Sequence, residues 1–168
     1  MTHAELVERA EGWLRNTFHC RVVMSEHVAY TRYGEIPDVI GWVGGKSILV
    51  ECKTSRADFV RDKSKPFRSS DALALGAWRF YLTPPGIIQY IGELPFRWGL
   101  YEVHGKTIKY VGGIKYQNAA KPPFDSDLQS EVAMLLSYIA KASELHAKYQ
   151  PIPTAITRDH CRSPPKKE

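Results

Sequence analysis

The sequence predicts a mixed α/β domain built around one central sheet. Three observations carry that reading. A first segment has helical period, a series of short Val-, Ile- and aromatic-rich segments is punctuated by Gly and Pro, and a last segment is helical again. The first helix is expected over Ala4–Asn16: Thr2-His3-Ala4-Glu5 has the form of a capping box, and Leu6, Ala10, Trp13 and Leu14 recur on one face. Arg21–Tyr30, rich in Val, reads as a strand. Ile36–Val43 and Lys46–Lys53 read as two strands joined by Gly44-Gly45, a pair suited to a type I′ turn because both positions need positive φ. Arg56–Phe67 reads as a basic helix stopped near Pro66, and Trp78–Leu82 as a strand ended by Pro84-Pro85-Gly86. Gly99–Val103 and Lys106–Val111 follow as strands about His104-Gly105. Asp127–Lys148 is the closing helix, capped around Ser126, with Leu128, Val132, Leu135, Leu136 and Ile139 as its apolar stripe. The expected organisation is one domain over residues 1–150 and a basic, flexible tail over 151–168.

Composition narrows the class. The chain has 168 residues, 43 % hydrophobic and 24 % charged, which suits one soluble domain with a real core. It contains no run of about 18 apolar residues, so no membrane-spanning helix is expected. The first residues lack the basic and apolar stretches of a secretory signal. Cys20, Cys52 and Cys161 are an odd set without CxxC spacing, which argues against a disulfide framework and for a reducing, cytoplasmic setting. The net charge of +5 permits a polyanionic partner. Between Lys53 and Arg68 lie six basic residues and two acidic ones.

The hairpin register carries the chemistry. With Val43 facing Lys46, stepping outward along both strands sets Asp38 directly opposite Glu51. Opposed side chains lie about 4.5–5.5 Å apart at Cβ, and two carboxylates that close conflict unless a proton or a cation intervenes. Mg²⁺ is the natural cation, a hard ion held by one or two carboxylates together with water and phosphate oxygens. Side chains alternate along a strand, so Lys53 shares the Glu51 face while Cys52 joins Ile48 and Val50 in the core. His19-Cys20 and His160-Cys161 are set aside as a zinc site, since no spacing joins them into four ligands. Trp78, Trp98, Tyr81 and Tyr101 could stack on bases, but aromatic residues in strands are more often core.

Pro37-Asp38, followed after twelve residues by Glu51-Cys52-Lys53, resembles the PD-(D/E)xK nuclease superfamily. The stretch Glu51–Phe59, together with Lys65-Pro66-Phe67-Arg68, Arg79-Phe80-Tyr81-Leu82, Glu93-Leu94-Pro95 and Trp98-Gly99-Leu100, is similar to the MmcB-like DNA-repair proteins and small phage and bacterial nucleases. The likeness covers about Ala4–Val103. It implies a restriction-endonuclease-like αβββαβ core with a mixed central sheet, to which this chain adds a C-terminal helix. It also implies a Mg²⁺-dependent deoxyribonuclease, an endonuclease of repair, recombination or phage DNA processing, with Mn²⁺ able to substitute.

In that reading Asp38, Glu51 and the Cys52 carbonyl hold the metal, joined by a Glu from the first helix. Glu5 is used in the cap, and of Glu8 and Glu11 the reading prefers Glu8; Glu35 is a further candidate outer ligand. Lys53 orients or helps deprotonate the attacking water. Ser55, Arg56, Lys63 and Arg68 face DNA phosphates at the mouth of the site, which positions the backbone without reading its sequence. A homodimer is open, since many nucleases of this fold pair to cut both strands. Two other readings stay open: a catalytically silent module that binds DNA or protein, and a nuclease directed at RNA.

Overall fold

The computed structural model describes residues 1–68, 72–117 and 120–149. The expected basic tail, with His160 and Cys161, lies outside the described residues. Helix α1 (His3–Asn16) precedes strands β1 (Val22–Ser25), β2 (Val39–Val43) and β3 (Lys46–Cys52). Helix α2 (Arg56–Lys63), β4 (Trp78–Thr83), β5 (Gly99–His104), β6 (Thr107–Gly113) and α3 (Leu128–Tyr149) complete the order. The six strands form one sheet in sequence order. Strands β1, β2 and β3 are an antiparallel meander, β4 and β5 run parallel to β3, and β6 returns antiparallel. The fold is therefore mixed α/β with helices on both faces of a mixed sheet. No helix among the described residues is long and apolar enough to cross a membrane.

Alternation along β3 divides the core. Ile48, Val50 and Cys52 face α1, where Leu6, Ala10, Trp13 and Leu14 pack on them as the period of the first helix predicts. Leu49 faces the other way, with Phe59 of α2, Tyr81, Trp98 and Met134 of α3. Trp78, Tyr81, Trp98 and Tyr101 are all buried, so these aromatic residues are core. Thr2 and Glu5 form the expected capping box. Gly44 and Gly45 have φ of 56° and 74°, the left-handed pair a type I′ turn needs.

Several boundaries move, each for a local reason. Strand β1 stops at Ser25 rather than Tyr30, because Glu26 adopts φ 46° and turns the chain out of the sheet. Strand β2 begins at Val39 rather than Ile36, since Pro37 has no N–H to give a ladder. Helix α2 ends at Lys63, and Pro66–Arg68 is a separate 3₁₀ turn: the proline disfavours helical backbone at the residue before it.

Helix α3 departs most. The stripe expected to be inward faces outward: Leu128, Val132, Leu136 and Ile139 are exposed, and only Leu135 packs partly on the core. The inward side carries Ser130, Glu131 and Met134. A polar network sets this rotation. Buried Glu131 accepts from Ser47 Oγ at 2.7 Å, Trp42 Nε1 at 3.1 Å and the Gly76 amide at 3.1 Å. These donors would lose their partner if the helix turned its apolar stripe inward. Asp127 caps α3, accepting from the Ser130 amide at 3.2 Å and the Ser130 hydroxyl at 2.9 Å.

Candidate active site

The register of the β2–β3 hairpin is the one the sequence implies, running from Val43 opposite Lys46 to Val39 opposite Val50. One step further, beyond the ladder, Asp38 and Glu51 come together through a shared cation. Lys53 Nζ lies 2.7 Å from Asp38 Oδ2 and 2.7 Å from Glu51 Oε2. Asp38 Oδ2 also accepts the Cys52 amide at 2.7 Å. The carboxylate thus takes over a backbone donor where Pro37 has ended the strand pairing. The Cys52 side chain is buried among Ile48 and Val50, as its strand position requires.

Behind this trio lies a second cation with three acids around it. Arg68, 1 % exposed, donates from Nη1 to Glu35 Oε1 at 2.6 Å and from Nε and Nη2 to the two Asp62 oxygens at 2.9 and 3.1 Å. Its Nη2 also stands 2.7 Å from Glu51 Oε1, but its hydrogens point elsewhere, so that oxygen is charge-paired without a directed hydrogen bond. Asp62 further accepts from Tyr81 Oη at 2.9 Å and pairs with Lys65 at 2.8 Å. The result is a buried chain of alternating charge running from Asp38 through Lys53, Glu51 and Arg68 to Glu35.

The ionisation of the cluster follows from this geometry. Burial, with the nearby Asp38 charge, outweighs Arg68 and Lys53 and raises the Glu51 carboxyl from 4.5 to about 7. Burial alone would lower Lys53, but Glu51, Asp38 and Asp62 overcome it and hold the ammonium well above its ordinary value. Burial would raise Asp62, but Arg68 and Lys53 hold it below the usual carboxylate range. Lys53 is accordingly a fixed cation at neutral pH.

The expected site residues divide into three groups. Asp38, Glu51, Lys53 and Cys52 converge; of these, Lys53 and Cys52 line a cleft of about 240 Å³ together with His3, Asp58, Arg61, Asp62 and Lys65. Ser55 is the N-cap of α2, accepting the Asp58 amide at 3.1 Å, and Arg56 and Lys63 lie on that helix. Both cations turn to one acid: Arg56 pairs with Glu93, and Lys63 Nζ is 3.9 Å from it. Arg68 and Glu8 do not sit where the sequence reading put them. Arg68 is a buried counter-ion, not a phosphate-facing surface charge, because three acids converge on it. Glu8 is exposed and lines a groove with Arg9, Trp13 and Lys106 between α1 and β6, away from Asp38. Glu35 is buried behind the site on Arg68 and the Leu75 amide.

The part of α1 that does approach is its first residue. His3 Nε2 lies 3.7 Å from Asp38 Oδ1 and 3.3 Å from Glu26 Oε1. The sequence alone does not single out His3, Glu26 or Asp62. The charged surroundings of Asp62 hide its burial from any periodicity argument, whereas the left-handed backbone that positions Glu26 leaves no sequence signature. Among the described residues no group of three or more His, Cys, Asp or Glu side chains is arranged to hold a metal ion. What the site offers is two hard oxygen donors, Asp38 and Glu51, with an oxygen of Glu51 lacking a directed partner.

The fold is shared with a solved protein of unknown function from Silicibacter pomeroyi, with a TM-score of 0.55 and 24 % identity over 94 % of this chain and 98 % of that one. At this identity the likeness is one of fold alone. No family model and no curated protein matches the sequence.

Proposed function

We infer that the protein is a Mg²⁺-dependent deoxyribonuclease of the PD-(D/E)xK type, cutting DNA phosphodiester bonds. The observation that carries this reading is Lys53 Nζ, 2.7 Å from both Asp38 and Glu51 at the rim of a cleft, on a hairpin whose register brings the two acids together. The order of helix, antiparallel meander, helix and parallel β4 supports an αβββαβ core of the kind the motif implies, with β5, β6 and α3 beyond it. The donor chemistry supports a hard ion, which would displace Lys53 Nζ from between the two acids. Two carboxylates and no closed cage suit a hard cation that keeps most of its waters and takes its remaining oxygens from phosphate.

In this mechanism Asp38 and Glu51 would hold Mg²⁺, or Mn²⁺ in its place, with the Cys52 carbonyl assisting. When bound there, a divalent ion would supply Lewis-acid stabilisation of the phosphate charge. Lys53, held protonated by its acidic neighbours, orients the attacking water and steadies negative charge on the phosphate rather than acting as a base. Ser55, Arg56 and Lys63 stand on the α2 side, where they position the DNA backbone.

A second reading is favoured by one observation: Lys53 and Arg68 already neutralise both acids. A catalytically silent module that binds DNA would keep such a cluster for structure alone. Thermal melting with and without Mg²⁺ or Mn²⁺ separates the two. The nuclease reading expects stabilisation by the metal that Asp38→Ala abolishes, and chelator-sensitive cutting of plasmid, linear or single-stranded DNA. DNA binding with neither metal stabilisation nor cleavage establishes the silent module instead.

A further inference from the structure

The turn that follows α2 is basic and flanked on both sides by solvent-facing aromatic rings. On one side Tyr33, 46 % exposed, stacks on Phe67 with ring centroids 6.1 Å apart and planes 25° from parallel. Lys65 Nζ lies 5.6 Å and the Arg68 guanidinium 4.8 Å from the Phe67 ring centre. On the other side is a trough of about 610 Å³ whose lining includes Lys63, Lys65, Pro66, Phe96 and the acid Glu93. Lys63 Nζ stands 3.9 Å from Glu93, and Lys65 pairs with Asp62 at 2.8 Å, so a phosphate would compete with these acids for the two ammonium groups. Phe96 is 66 % exposed, with Arg97 over its ring at 5.0 Å.

We propose that this surface binds single-stranded DNA, with Tyr33 and Phe96 as stacking platforms for unpaired bases and Lys63 and Lys65 as contacts to the intervening backbone. Tyr33 and Phe96 are not singled out by exposure, since Tyr30 and Tyr90 are exposed too, but by the cations beside them: Lys65 near the Tyr33–Phe67 pair and Lys63 and Lys65 in the trough with Phe96. An exposed ring beside lysines matches the pairing of stacking platform and backbone-binding cation that holds single strands. Inside a duplex each base has both faces covered by its neighbours, so ring stacking favours an unpaired base. The position is also apt. Phe67 lies against Arg68, and Arg68 Nη2 is 2.7 Å from Glu51, so the buried Arg68 side chain links the Tyr33–Phe67 pair to the candidate catalytic acids. This assignment of substrate class rests on the nuclease reading, but its test does not require cleavage.

The experiment is fluorescence anisotropy of the full chain with a labelled oligonucleotide, single-stranded or annealed to its complement, in chelator. The proposal expects the single strand to bind more tightly than the blunt duplex. Tyr33→Ala and Phe96→Ala should each weaken single-strand binding by at least about fivefold, with little change for duplex. Tyr33→Trp should keep the affinity, and Tyr138→Ala, on α3 against His27, should leave it unchanged. Melting curves confirm that each variant is folded. Duplex bound as tightly as single strand, Ala variants that bind like the wild type, or no binding to either DNA each overturn the proposal. Single-strand preference without cleavage in Mg²⁺ contradicts only the nuclease reading, and cleavage without that preference contradicts only this one.

Discussion

Glu51→Gln isolates the electrostatic cost of the buried carboxylate. Glu51 is 1 % exposed, and burial raises its carboxyl from 4.5 to about 7 in the folded chain. The folded state therefore binds this proton more tightly than the unfolded state. The stability contributed by that proton is complete below pH 4.5 and is lost as the pH rises through about 7. The interval corresponds to about 3 kcal/mol. Gln has the shape of the protonated acid and no proton to lose. The difference in unfolding free energy between Glu51→Gln and wild type should therefore shift by about 3 kcal/mol in favour of the variant between pH 4.5 and pH 8. For a domain of this size that is a relative gain of about 6–12 °C in melting temperature. Urea titrations of both proteins across that range, without divalent metal, measure it directly. Parallel stability curves would show that Glu51 titrates as an ordinary surface carboxyl and would refute the electrostatic account.

Other outcomes follow from the same geometry. Arg68→Ala leaves Glu35, Glu51 and Asp62 facing one another in the interior, so it should cost about 3–5 kcal/mol by urea unfolding. Arg68→Lys should fail to restore it, since one ammonium cannot reproduce the guanidinium fork. Met134→Ala should cost about 2–5 kcal/mol, whereas Leu136→Ala on the outward face of α3 should stay within about 0.5 kcal/mol. Equal costs at the two positions would contradict the rotation of the helix. Glu93→Gln frees Arg56 and Lys63 from their acidic partner. It should tighten DNA binding at low salt and steepen its salt dependence, as read by anisotropy over a salt series.

The sequence spoke most clearly where local rules act alone. Two glycines fix a turn, the turn fixes a register, and the register brings Asp38, Glu51 and Lys53 together without reference to the rest of the chain. The capping box at Thr2 and Glu5 is legible for the same reason. What could not be read depends on tertiary partners. The apolar stripe of α3 is a sound helical pattern, yet Glu131 finds Ser47, Trp42 and Gly76 and turns the other side inward. Arg68 looks like one more charge in a basic segment until Glu35, more than thirty residues away, and Glu51 close around it. Glu8 has the right chemistry, but its place on α1 takes it to the β6 side, and His3 reaches Asp38 instead.

The most direct test is a cleavage time course on single-stranded and duplex DNA with Mg²⁺ or Mn²⁺, comparing the wild type with Asp38→Ala and Lys53→Ala. The account predicts metal-dependent cutting by the wild type, abolished by chelator and reduced at least a hundredfold in both variants, about the loss seen when one charge-stabilising group is removed from an active site. Cutting that survives in either variant, or a wild-type protein that cuts neither substrate, would contradict it.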